Sequence, residues 1–139
     1  MEAGYCVFNK SSQSFLALNV RCASTVAAQF STLFGKHGLG SGEGLWIVPG
    51  RSVHTVGMLF PIDLIYLDER QRVIDLVEHL RPFRIAPLHL RSASVLEVPS
   101  YTIFSSRTRV GDQLAICTPE ELALFTGEHA QQPALVSGA

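Results

Sequence analysis

Along most of the chain, hydrophobic residues occur in short runs separated by polar, glycine-rich or proline-containing stretches. Such runs, rich in β-branched and aromatic residues and bounded by turn formers, are typical of β-strands. They predict strands over residues 5–8, 15–20, 45–48, 52–55, 62–67, 73–77, 94–98 and 113–117. The charged stretch 68–72, between two of these runs, predicts the clearest hairpin in the sequence.

One stretch between the second and third predicted strands has helical periodicity. Its apolar residues fall at i, i+4, i+7 and i+8 and are Val26, Phe30, Leu33 and Phe34. They would form one face of a helix that packs on the sheet. Ser24 or Thr25 can cap its start, and Gly35 can end it.

A shorter helix is predicted near the C-terminal end. Thr118 is followed by Pro119 and, three residues after the threonine, by Glu121. This is the pattern of a capping box with proline at the first helical position. The helix should run to about Phe125, and residues 127–139 are expected to fray.

These elements predict a mainly β fold of the α+β class. We expect a small barrel or a jelly-roll-like sandwich, with one packed helix and a short C-terminal helix. Residues 1–126 would form a single β-rich domain, because 139 residues leave little room for two.

Composition narrows the class of protein. Hydrophobic residues make up 47% of the chain and charged residues 17%, which indicates a well-filled core. The formal net charge of −1 argues against general attraction to nucleic acid. No apolar stretch is long enough to span a membrane, and no basic start resembles a signal peptide.

The three cysteines, Cys6, Cys22 and Cys117, are widely spaced and form no CxxC pair. This argues against a disulfide framework or a zinc knuckle and favours buried thiols in a reducing compartment. We therefore expect a cytoplasmic protein without a cofactor. Its oligomeric state does not follow from the sequence.

The segment 44–63 is the most distinctive part of the chain. If residues 52–55 are extended, Ser52 and His54 share one face and Val53 and Thr55 the other. Gly57 permits a bend. Asp63 then enters an otherwise apolar strand, where a carboxylate must be satisfied or lie at a rim.

This segment reads W-I-x-P-x-x-S-V-H-T-x-G-M-x-F-P-I-D, followed by L-D, and it resembles the bacterial and archaeal family called domain of unknown function 192. Residues 33–39, 93–99 and 110–114 agree in the same order, so the resemblance covers about residues 15–116. It implies a small β-barrel or jelly-roll-like domain with a helix on one side, and it supplies a candidate site without an established reaction.

Two positions depart from the family pattern. Gly50 stands where related sequences often have cysteine, so thiol chemistry at that position is ruled out in this chain. Ser100 and Tyr101 stand where the pattern resembles Ala-Gly, which puts a tight glycine turn there in doubt.

The resemblance selects one set of candidate ligand-binding residues: Trp46, Ser52, His54, Thr55, Met58, Asp63 and Glu97. Each also has a structural interpretation. Trp46 and Met58 are suited to the core. The structural interpretation of His54 is a hydrogen-bonded imidazole, and that of Asp63 is a turn cap or a partner of arginine. Glu97, between strand hydrophobes, either faces solvent or lies in a functional pocket.

Two enzymatic arrangements are compatible with these residue types. Ser52, His54 and Asp63 are the components of a hydrolase triad, but no G-x-S-x-G elbow accompanies them. His54, Asp63 and Glu97, with His79 or His89, have metal-ligand chemistry, but their spacing matches no metal signature. We therefore assign no metal.

Arginines dominate the charge between residues 79 and 111, where Glu97 is the acid. The surface is either simply solvated, or it forms a local anion site or a partner patch, with Arg81, Arg84 and Arg91 as the patch candidates. Our preferred hypothesis is a module that binds a small polar ligand or a segment of a partner protein. The alternatives are a metal-assisted or acid–base enzyme acting on a small molecule, and a structural or assembly factor.

Overall fold

The computed structural model describes residues 4–24, 39–55 and 58–124, and these residues are built around one sheet of seven strands. The strands are β1 (Tyr5–Asn9), β2 (Ser14–Ala23), β3 (Glu43–Ile47), β4 (Ile62–Leu67), β5 (Val73–Leu80), β6 (Ser94–Pro99) and β7 (Leu114–Cys117), with a short helix, α1 (Thr102–Ser106). The strand order is β5-β4-β6-β3-β2-β1-β7. The mainly β prediction is confirmed.

The sheet curls into a half-barrel. Its two edge strands, β5 and β7, approach each other at one end, where Val73 N donates to Asp112 O at 2.9 Å and Leu114 N donates to Gln71 O at 3.0 Å. The curl follows from the twist between neighbouring strands, which accumulates across a seven-stranded sheet. It also protects part of each edge.

Strands β2 and β3 pair in parallel, whereas the other neighbouring strands are antiparallel. A parallel pair needs a crossover connection of a dozen or more residues, usually a helix. The chain between β2 and β3 is long enough for one. The helix predicted around residues 26–34 lies outside the described residues, as does the predicted tail at 127–139.

Strand β4 is buried at all six positions, and β6 is buried from Ser94 to Val98. Alternate side chains therefore enter two separate cores. Leu64 of β4 belongs to the first core with Leu45 and Val95. Ile65 belongs to the second with Leu96, Ile103 and residues of both edge strands. Since both edges contribute to it, the second core is the concave interior of the half-barrel.

Two extended segments cover the first core, on the face of the sheet opposite the concave one. Residues 51–55 lie antiparallel to residues 84–89, with Ala86 N donating to Val53 O at 2.8 Å and Thr55 N donating to Arg84 O at 2.8 Å. Val53 and Ala86 are buried in the first core. We call residues 51–55 and 84–90 the cover ribbon.

Tyr66 fixes the cover ribbon to the sheet. Its hydroxyl donates to Pro87 O at 2.7 Å, and its ring meets the His89 ring edge-on, with 4.4 Å between centroids. His89 Nε2 lies 2.7 Å from Asp75 Oδ2. Burial raises the pKa of Tyr66 to about 12, and the Asp75 carboxylate adds to the shift.

The C-terminal helix begins as the capping box predicts, with residues 119–124 helical. Thr118 N donates to Glu121 Oε1 at 2.9 Å, and Glu121 N donates to Thr118 Oγ1 at 3.2 Å. The hydrogen bond from the Thr118 backbone lowers the pKa of Glu121. Helix α1 was not predicted. The expectation of buried thiols holds for Cys6 but is wrong for Cys22, which is exposed.

We predict that Tyr66→Phe makes the protein lose less stability as the pH becomes alkaline. The folded-state pKa of about 12 lies above the ordinary value of 10, so the folded protein keeps a proton that the unfolded chain loses. This contribution is complete below pH 10 and is lost as the pH rises towards 12. At neutral pH, Tyr66→Phe should cost about 1 kcal/mol for the hydrogen bond to Pro87 O.

The measurement is the free energy of unfolding from pH 8 to 12 for both proteins. All other residues are common to both proteins, so the difference between the two curves isolates Tyr66. The curves should converge as the pH rises. Parallel curves would contradict the prediction.

Candidate functional site

Asp63 lies on the concave face of β4, where its carboxylate accepts two backbone hydrogen bonds. Oδ1 accepts His79 N, and Oδ2 accepts Ile103 N, each at 2.9 Å. The carboxylate is fully buried. It therefore joins β5 and α1 to the centre of the sheet.

Without Asp63, the N–H groups of His79 and Ile103 would lack an acceptor, because the backbone around each of them is irregular. The β4–β5 register shifts between Ile62 and Leu64, which leaves an extra residue in β5 opposite Asp63, and His79 there has φ 53°. Helix α1 starts after Tyr101, whose side chain makes no capping hydrogen bond. Asp63 caps the bulge and the helix at once, as a distant N-cap would.

Glu97 lies on the opposite face of the sheet. It pairs with Leu45 on one side and Leu64 on the other, whereas Asp63 pairs with Val98. Side chains paired across strands share a face, so Glu97 points towards the first core. It is fully buried, so the solvent-facing interpretation of this residue is wrong. Asp63 and Glu97 are not brought together.

Ser52 and His54 lie on the cover ribbon with the alternation that the sequence predicts. Both are half-buried, whereas Val53 and Thr55 are buried. Ser52 Oγ donates to Ala86 O at 2.8 Å. A shallow cavity of about 440 Å³ is lined by Ser52, Val53, His54 and Ile85. Binding by these residues stays a prediction.

Thr55 and Met58 have structural contacts. The Thr55 hydroxyl donates to Arg81 O at 2.6 Å and accepts a hydrogen bond from Arg84 N at 2.8 Å, which holds the turn before the second half of the ribbon. Met58 is buried in the first core beside Phe60, as its core interpretation predicts.

Trp46 is half-buried and packs against the second core, on the same face as Asp63. Its ring meets Tyr5 edge-on at 5.6 Å between centroids. Its pairing partner in β6 is Leu96. Trp46 is therefore separated from Ser52 and His54 by the sheet.

The hydrolase triad is not assembled. Asp63 is committed to two backbone amides on the concave face, and the Ser52 hydroxyl is committed to the Ala86 carbonyl. With these partners, the Asp63 carboxylate does not orient the His54 imidazole, and the Ser52 hydroxyl is not directed at it.

The metal alternative also lacks a ligand cluster. Within residues 4–24, 39–55 and 58–124, no group of three or more His, Cys, Asp or Glu side chains could hold an ion. His79 Nδ1 lies 2.6 Å from Ser100 Oγ, and His89 is paired with Asp75. These two histidines have separate partners.

The three arginines of the predicted partner patch are exposed but not adjacent. Arg81 follows the last residue of β5, and Arg84 lies on the cover ribbon. Arg91 lies beside Asp68 and Arg72, at the other end of the β4–β5 hairpin. They are distributed along the segment 81–91.

A row of apolar side chains lies between these arginines. Phe83, Ile85, Leu88 and Leu90 are exposed by 61%, 79%, 64% and 73% of their surface. We call these four residues the outer apolar row. No strand is predicted from the sequence over this segment, which contains Pro82 and Pro87. The signal that indicates the row is the recurrence of large apolar residues at 83, 85, 88 and 90.

Both departures from the family pattern can be located. A Cβ on Gly50 would lie 2.9 Å from Ile47 O, so the backbone here leaves no room for a side chain. Tyr101 has φ 76° and is left-handed. It adopts the conformation that favours glycine and bears a 68% exposed side chain.

Comparison with known protein families supports the family resemblance that the sequence motifs indicate. The model of the family DUF192, described as an uncharacterized ACR, matches residues 7–116. No curated protein matches the chain.

Two solved structures are similar in fold. A protein of unknown function from Novosphingobium aromaticivorans aligns with a TM-score of 0.67 and 20% identity, over 80% of this chain and 82% of that one. A protein from Sinorhizobium meliloti, provisionally named a transcription regulator, aligns with a TM-score of 0.67 and 17% identity, over 84% of this chain and 98% of that one. At these identities the likeness concerns the fold alone.

Among the helices that the structure describes, none has the length and apolar character needed to cross a membrane.

We predict that Asp63→Ala lowers the free energy of unfolding by about 2–4 kcal/mol, because two buried backbone N–H groups lose a charged acceptor. Asp68 offers a matched control. Its Oδ1 also accepts two backbone hydrogen bonds, from Arg70 N and Arg72 N, but in an exposed turn. Water can replace those bonds, so Asp68→Ala should cost about 1 kcal/mol or less.

Urea titrations of the three proteins measure both values. Equal losses for Asp63→Ala and Asp68→Ala would contradict the structural role given to Asp63.

Proposed function

The chain belongs to the DUF192 family, and for this member we propose a partner-binding β module whose cover ribbon holds an extended apolar segment of another protein. The observation that carries the proposal is the outer apolar row. Large apolar side chains that are this exposed and this close together are typical of interaction surfaces.

An irregularity in the cover ribbon produces the row. Ala86 N donates to Val53 O and His89 N donates to Arg51 O. The two bonds are therefore three residues apart in one segment of the ribbon and two residues apart in the other. This one-residue bulge restores the alternation after Pro87. Ala86 and His89 both face the sheet as a result, and Ile85, Leu88 and Leu90 face away.

The backbone at the centre of the row supports an extended occupant. Ile85 is opposite His54 in the ribbon, between the hydrogen bonds at Ala86 and Arg84. Its N–H and C=O therefore point away from residues 51–55. In the part of the chain that the structure describes, the Ile85 N–H has no acceptor. A strand laid beside Ile85 gains main-chain bonds there, as in β-strand addition.

The surrounding charges indicate the kind of segment. Arg81, Arg84 and Arg91 are exposed along the row, whereas Ile85 and its apolar neighbours lie between them. An apolar segment with acidic residues at its ends would be complementary to this surface. Rim charges of this type mainly raise the association rate and fix the direction of binding.

The cavity beside Ile85 supplies a place for one anchoring side chain. Its walls are largely apolar, and the half-buried Ser52 and His54 lie on it. Binding energy at protein interfaces is concentrated where a side chain fills a pocket that becomes desolvated in the complex. The proposal therefore gives Ser52 and His54 a recognition role and no catalytic one.

The experiment is a selection of random twelve-residue peptides displayed on phage, followed by affinity measurements on purified protein. We expect selected peptides to alternate apolar and polar residues and to carry Asp or Glu at their ends. Ile85→Pro removes the outward N–H without removing a bond to residues 51–55, so it should weaken binding at least about tenfold.

Ile85→Thr is the matched control, because it keeps the N–H and remains compatible with an extended backbone. It should bind more weakly than the native protein but more tightly than Ile85→Pro. Thermal unfolding identifies any variant that fails to fold, and Leu88→Thr then serves as a second disruption of the row. Selected peptides whose affinity is unchanged by both Ile85→Pro and Leu88→Thr would refute the proposal.

A further inference from the structure

A second surface feature is a cleft of about 640 Å³ at the end of the β4–β5 hairpin. Three segments form it: the turn after β3, the β4–β5 turn and the loop before β6. Its charged lining residues are Arg51, Asp68, Glu69, Arg70, Arg72 and Arg91. Four of these are arginines, contributed by all three segments.

The charges in this cleft are not balanced. The four arginines face two carboxylates, which leaves a formal excess of two positive charges. Asp68 Oδ1 already accepts hydrogen bonds from the backbone of Arg70 and Arg72. Across residues 4–24, 39–55 and 58–124, no carboxylate lies within ion-pairing distance of any of these guanidinium groups. Their donors are therefore available to a ligand.

Hydrogen bonds connect the backbone segments at the floor of the cleft. Gly50 N donates to Ala93 O at 3.1 Å, and Ala93 N donates to Leu67 O at 2.8 Å. Ser92 Oγ donates to Gly50 O at 2.7 Å and is buried. These bonds tie the turn after β3 and the loop before β6 to the end of β4, so Arg51 and Arg91 project from hydrogen-bonded segments.

We propose that this cleft binds a phosphate-bearing small molecule through a chain of two or more phosphate groups. Guanidinium groups bind phosphate oxygens in pairs of parallel hydrogen bonds, and four of them match a polyphosphate better than a single anion. The volume is within the range of small-molecule sites. Pro49 and Leu90 give apolar wall for an organic part of the ligand.

This site is distinct from the one proposed for the partner segment. Arg51, Arg70 and Arg72 are not in the outer apolar row, and the two surfaces share the neighbouring residues Leu90 and Arg91 at one end. Variants at Arg51 and Arg72 therefore test the cleft while leaving the row intact.

The experiment is calorimetric titration of the full chain with sodium tripolyphosphate, free of divalent cations and at constant ionic strength. Citrate serves as a polyanion that has carboxylates in place of phosphate groups. We expect saturable binding of one tripolyphosphate per chain, and citrate at least about tenfold weaker. Arg51→Gln with Arg72→Gln should weaken tripolyphosphate binding at least about tenfold, since each lost charge-assisted contact costs about that factor.

Arg107→Gln with Arg109→Gln is the matched control, because it makes the same change in net charge at exposed arginines of a smaller cleft elsewhere. Its affinity for tripolyphosphate should stay within about twofold of the native value, since it removes no contact in the proposed cleft. Three results would each overturn the proposal: no saturable binding, equal binding of citrate, or equal losses in the two double variants. Thermal unfolding confirms that each variant is folded.

Discussion

Strands β4 and β6 are buried on both faces, and the rest of the architecture follows from this constraint. A sheet whose central strands are apolar on both sides must be covered twice. On the concave side the sheet covers itself by curling, so that residues of β1, β2, β5 and β7 meet the same core as Ile65 and Leu96. On the other side the cover ribbon supplies Val53 and Ala86.

The cost of this arrangement is that every polar group in the central strands needs a partner. Asp63 meets that requirement by accepting hydrogen bonds from two backbone amides that a bulge and a helix start leave without an acceptor. A carboxylate in this position is part of the architecture. The same constraint shapes the function that we propose, because the ribbon faces the sheet with Val53, Ala86 and His89 and exposes the large apolar side chains of the outer apolar row.

Much of this could be predicted from the sequence. Apolar runs located the strands, because a run bounded by turn formers has few alternatives. The Thr118–Glu121 box located a helix start, and alternation placed Ser52 and His54 on one face. The pairing register of strands that are far apart in the sequence could not be predicted. Asp63 pairs with Val98 and Glu97 with Leu64, and a shift of one residue would have put both acids on one face. Helix α1 is too short for its apolar residues to show a helical period. The bulge after Ala86 breaks the strand alternation, so alternation alone does not indicate the outer apolar row.

Amide hydrogen exchange, measured on the free protein and on its complex with a selected peptide, distinguishes the two edges of the ribbon. In the free protein we expect slow exchange at Ala86 and Thr55, whose N–H groups donate within the ribbon, and fast exchange at Ile85. Adding the peptide should slow exchange at Ile85 and leave Ala86 unchanged. Slow exchange at Ile85 in the free protein, or no change there with peptide bound, would contradict the proposal that this edge receives a partner segment.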